Sequence, residues 1–176
     1  MRLITFHDGS GARTGAWIDG DRQIVDLARA AEAMGKPAAA FTTMQDLIEA
    51  GEPGLALARA LVDEAPAASL RASDSVRLLA PVPRPIQMRD ALAFELHLRQ
   101  AKRASARMRL RSHPQAEQEF SALEASGALE PPPVWFRQPI YYKCNRFTVI
   151  GGGEPVLWPA YSRVLDYELE LGIFIG

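Results

Sequence analysis

The chain has 176 residues, 48% of them hydrophobic, and its 20 basic and 21 acidic side chains leave a net charge of −1. That hydrophobic fraction supplies a core and excludes wholesale disorder, and the charge balance excludes a surface that binds polyanions over its whole extent. A single cysteine, Cys144, excludes an intrachain disulfide framework and fits a reducing cytoplasm; no signal peptide is evident, and no apolar run reaches the ~18 to 20 residues of a membrane span.

Residues 2 to 27, RLITFHDGSGARTGAWIDGDRQIVDL, are short apolar runs separated by DGSG and DGD, which are turn signals between strands. Helical spacing follows. TTMQDLIEAG opens on Thr42 with Gln45 three residues on, a capping-box pattern, and Gly51 is placed to end that helix. LALARALVDEA, with Leu55, Leu57, Leu61 and Val62, predicts a second helix, and SVRLLAP a brief strand. Prolines at 81, 83 and 85 stiffen PVPRPIQMRD into a connector, which divides the chain into a small α+β domain over 1–80 and a second domain over 81–176. DALAFELHLRQAKRASARMRLRS has no Gly or Pro and predicts a helix. PQAEQEFSALEAS predicts another, stopped by Gly127 and the prolines at 131 to 133. From Trp135 onward the pattern returns to strand.

The stretch DYELELGIFIG, residues 166 to 176, carries two carboxylates inside an apolar run. In a strand Glu168 and Glu170 share a face, with Cα atoms ~6.6 Å apart, while Tyr167, Leu169 and Leu171 point the other way. Taken alone, so short a motif reads first as an alternating strand with a solvated acidic face. A partly buried pair, by contrast, must protonate or meet a cation, and Mg²⁺ takes carboxylate oxygens together with water and substrate oxygens. Asp90 and His97, seven apart, would lie on one helix face about two turns apart if both were helical. Asp90 could then add a third oxygen ligand, and His97 could take a proton from water. Singly, Asp90 also reads as a helix cap and His97 as a surface histidine.

Three other features have plain readings. RQAKRASARMRLRSH, with Arg99, Lys102, Arg103, Arg107, Arg109 and Arg111, has no aromatic side chain for stacking bases. It reads as a solvated helix balanced by the acids of residues 117 to 130, with no nucleic-acid partner. GGG at 151 to 153 lacks the spacing of a phosphate-binding loop and predicts a tight turn. Cys144 has no evident base beside it, and Trp135, Phe136, Tyr141 and Tyr142 suit a core as well as a pocket.

The combination PVPRPIQMRDALAFELHLRQA, then YYKCNRFTVIGGGEPV, then WPAYSRVLDYELELGIFIG resembles the fumarylacetoacetate hydrolase family over residues 80 to 176. The resemblance implies a small β-rich N-terminal domain followed by a mixed β-roll, dimeric at full length, of which this chain would carry the first part. It implies that Asp90, Glu168 and Glu170 bind a divalent metal, usually Mg²⁺ or Ca²⁺ (Mn²⁺ is a further option), that His97 activates water, and that Tyr142 touches substrate. Arg103 or Arg107 could meet a substrate carboxylate. The implied reaction is hydrolysis of a C–C bond in a diketo or 2-oxo acid through a metal-stabilised enolate. Hydration, isomerisation or decarboxylation of a similar acid is the nearest alternative, and a non-catalytic subunit pairing with a complementary chain is another. Where fumarylacetoacetate enzymes have a tyrosine two after the aspartate, this chain has Leu92, and the arginine expected nine after the histidine falls on Ala106.

Overall fold

Period-two apolar patterning at the start of the chain builds three strands, β1 (Arg2–His7), β2 (Ala12–Ile18) and β3 (Gln23–Asp26). After them come helices α1 (Leu27–Ala33), α2 (Met44–Glu49) and α3 (Gly51–Glu64) and the short strands β4 (Leu70–Ala72) and β5 (Arg77–Leu78). The computed structural model describes residues 1–175. They divide into two units, Met1–Ile86 with Arg146–Gly176, and Gln87–Asn145. The class is α+β.

In the first unit the five strands form an antiparallel sheet in the order β4-β3-β2-β1-β5. Register sets its faces. Leu3 lies opposite Ala16, and Ala16 opposite Val25; this face packs on Leu27, Ala30 and Ala31 of α1, Leu47 of α2 and Ala58 and Leu61 of α3. Ile4, Phe6 and Ile24 cluster on the other face with Trp17, Val76 and Leu78. Phe6 and Ile24 can close over β2 because Gly15 has no side chain: a Cβ there would stand 2.9 Å from both the Phe6 ring and the Ile24 side chain.

Asp26 joins sheet to helix. Its buried carboxylate caps α1 through the Arg29 N–H at 3.1 Å and receives both Nε and Nη2 of Arg13 at 3.0 Å. The capping box of α2 stands one residue later than the sequence pattern predicts. Thr43 accepts from the Asp46 N–H while Asp46 accepts from the Thr43 N–H, because Thr43 has the extended backbone of an N-cap whereas Thr42 is still helical and Gln45 is turned towards Glu49. Gly51, at φ 58°, turns the chain between α2 and α3. The GGG stretch is the expected turn, with Glu154 N–H donating to the Gly151 carbonyl.

The second unit contains β6 (Arg89–Ala91), α4 (Glu95–Leu110), α5 (Ala116–Ala125) and β7 (Tyr141–Lys143). Ala106 and Leu110 of α4 close on Phe120 of α5 and on Leu129, so the two helices form a hairpin with its own small core. Two expectations are corrected here. The helix begins at Glu95 after an extended Phe94, so Asp90 lies in a strand and shares no helix face with His97. Residues 155 to 175 form no strand, because among the described residues none hydrogen-bonds to them as a sheet neighbour, and a strand needs such a partner for its backbone groups.

Candidate functional site

The β6–β7 ribbon is the element that brings predicted site residues together. Asp90 is directly opposite Tyr142 in the antiparallel register. Cross-strand partners project from the same face with Cβ atoms ~4.5–5.5 Å apart, so a carboxylate and a phenol stand side by side. Both are exposed, Tyr142 at 69%. The ladder runs one step past the strands: Leu92 N–H donates to the Ile140 carbonyl at 3.0 Å, which puts Leu92 and Ile140 next on the face of Asp90 and Tyr142. On the opposite face the Arg89 guanidinium lies 5.1 Å from the Tyr141 ring centre.

Trp135 fixes the end of this ribbon. Its indole N–H donates to the Leu92 carbonyl at 2.9 Å, and its ring meets Phe136 edge-on at 4.8 Å. Nothing in the sequence marks this role, because the two partners are 43 residues apart and only the folded ribbon joins them.

His97 sits in the first turn of α4, exposed to solvent. Arg103 and Arg107 face α5. Arg103 pairs with Glu124 at 3.4 Å and Glu130 at 3.2 Å; Arg107 pairs with Glu117 at 3.3 Å and lies 3.9 Å over the Phe120 ring. Arg99 also pairs with Glu95 and Glu130. The basic helix is thus balanced by the acids of residues 117 to 130, as its composition predicts.

Residues 88–176 match the family described as fumarylacetoacetate (FAA) hydrolase C-terminal. The chain belongs to the fumarylacetoacetate hydrolase family. This is a family of hydrolases and related lyases, and the matched stretch takes in all seven predicted site residues: Asp90, His97, Arg103, Arg107, Tyr142, Glu168 and Glu170. No curated protein matches the chain closely enough to count as a relative. Among the described residues no helix is long and apolar enough to cross a membrane.

Within the family stretch, Glu168 and Glu170 lie exposed in the irregular segment, and Leu169 between them is 97% exposed. Among the described residues no three His, Cys, Asp or Glu side chains are grouped so as to share a metal ion. The three side chains that the family likeness singles out, Asp90, Glu168 and Glu170, are all carboxylates with no sulfur or nitrogen, a chemistry that suits a hard dication such as Mg²⁺ or Ca²⁺ over a softer transition metal.

Proposed function

We propose that this fumarylacetoacetate hydrolase-family chain serves the metal-dependent hydrolysis of a C–C bond in a 2,4-diketo or related 2-oxo acid. The observation that carries the reading is the family match over residues 88–176, supported by the Asp90–Tyr142 pairing on one ribbon face. Asp90, Glu168 and Glu170 are the residues that would hold Mg²⁺, Ca²⁺ or Mn²⁺. Once bound, the ion supplies positive charge against the oxygens of the oxo acid.

The chain's own groups have separable tasks. His97 accepts a proton from the water whose oxygen attacks the ketone carbon. The C–C bond then breaks, its electron pair passes to the carbon beside the remaining carbonyl, and that carbon takes up a proton. An acylpyruvate would yield a carboxylic acid and pyruvate, which balances with one water consumed. Tyr142 offers a phenolic hydrogen bond to a substrate oxygen beside Asp90. Arg103 or Arg107 would meet a substrate carboxylate only by exchanging an acid of α5 for it, a trade between equivalent charge-assisted bonds. The protein is proposed to be a cytoplasmic homodimer.

The test is the loss of acylpyruvate ultraviolet absorbance with Mg²⁺ present. The chain should consume the diketo acid, and His97→Ala should slow it by ~10²- to 10⁴-fold. Substrate that persists with the magnesium-loaded chain, or an undiminished His97→Ala rate, would defeat the reading.

A further inference from the structure

A recess opens in the Gln87–Asn145 unit at the end of the β6–β7 ribbon, walled by Leu92, Ala93, Trp135, Phe136, Pro139 and Ile140. All six are apolar or nearly so, and two of them, Leu92 and Ile140, form the cross-strand pair next to Asp90 and Tyr142 on the same face. In the ribbon register two of its walls are therefore the next neighbours of the carboxylate and phenol that stand side by side. Its wall is braced, since the Trp135 N–H is tied to the Leu92 carbonyl at 2.9 Å and the Trp135 and Phe136 rings meet edge to face. With its N–H satisfied by backbone, Trp135 offers incoming groups ring surface and no polar handle. Arg137 and Gln138 complete the lining.

We propose that this recess selects the tail of the substrate, admitting aryl or branched aliphatic groups on a monoanionic oxo acid whose polar head lies at Asp90 and Tyr142. The inference rests on the function proposed above for that face. A tail bearing a second carboxylate would be desolvated against Leu92 and Ile140, with Arg137 as its one cationic partner in the lining.

Isothermal titration of the whole chain in magnesium buffer with phenylpyruvate, pyruvate and oxaloacetate tests this directly. Phenylpyruvate should bind at least about tenfold tighter than pyruvate, the scale on which apolar pockets discriminate. Leu92→Asn should erase that preference, and Arg137→Ala should leave it intact. Phe136 is 59% exposed, so Phe136→Ala leaves the fold unburdened and should reduce the preference several-fold even if Leu92→Asn fails to fold. Equal affinities for the three acids, no binding of any, or tightest binding of oxaloacetate lost in Arg137→Ala would overturn the proposal. A chain that prefers phenylpyruvate yet cleaves no acylpyruvate keeps the recess and loses the hydrolase reading; cleavage without tail preference does the reverse.

Discussion

Replacing Asp26 by Ala should be among the most damaging single changes in the N-terminal unit. Its carboxylate is fully buried; it receives the Arg13 guanidinium through two bonds of 3.0 Å, caps α1 through the Arg29 N–H and lies 3.4 Å from the Arg29 Nε. Loss of the cap alone costs about 1 kcal/mol. Breaking a buried ion pair costs about 3–5 kcal/mol when the remaining charge stays buried. The Arg13 side chain is 28% exposed and can recover part of its hydration, so we expect a combined loss of about 3 kcal/mol. Against a typical total of about 5–15 kcal/mol that is a large fraction. Urea denaturation at pH 7, followed by far-ultraviolet circular dichroism, measures it. Asp26→Asn keeps a capping oxygen and should lose less than Asp26→Ala. An Asp26→Ala midpoint within about 0.5 kcal/mol of the parent, the range of ordinary surface changes, would refute the account of how sheet and helix are joined.

Other outcomes follow from the same contacts. The Asp8 carboxyl is lowered from 3.8 to about 2, first by the Ser10 hydroxyl and then by the Ser10 and Gly11 N–H groups and Arg13. A depressed carboxyl stabilises above its unfolded value and loses that contribution as pH falls, so the urea midpoint should drop between pH 3.8 and about 2 more steeply in the parent than in Asp8→Asn. Gly15→Ala forces a Cβ to within 2.9 Å of Phe6, Ile24 and the Val25 carbonyl, and should cost about 1–3 kcal/mol in the same assay. Glu130→Ala removes a partner of Arg99 and Arg103, but the carboxylate is 42% exposed, so at physiological salt the change should stay below about 1 kcal/mol.

Elements whose signals are local were legible in the sequence. The strands of residues 2 to 27 are separated by Gly- and Asp-rich turns, and α2, α3 and α5 end near glycines that take positive φ or at a run of small and polar residues. The start of α4 was not legible, because ALAF suits a helix, and its first residues are held extended by pairing of Ala91 with Tyr141 and Leu92 with Ile140 and by the Trp135 bond to the Leu92 carbonyl. Pairing between segments fifty residues apart leaves no periodic trace. The converse holds for DYELELGIFIG, whose alternation is that of a strand although none of its described residues pairs in a sheet; Tyr167, Leu169 and Leu171 are each at least 89% exposed. Alternation records which side chains would share a face, and hydrogen-bonding neighbours decide whether the strand forms. For the candidate site, motif and family likeness supplied the residues proposed. The Asp90–Tyr142 adjacency and the Trp135 brace came only with the fold.

The function proposed above turns on Asp90, Glu168 and Glu170 serving one divalent ion, which is itself a proposal. Isothermal titration of the chain with Mn²⁺, repeated on Asp90→Ala and on Glu168→Ala with Glu170→Ala, tests it most directly. The account predicts a saturable single-site heat in the parent that both variants lose; heats indistinguishable across the three proteins contradict it.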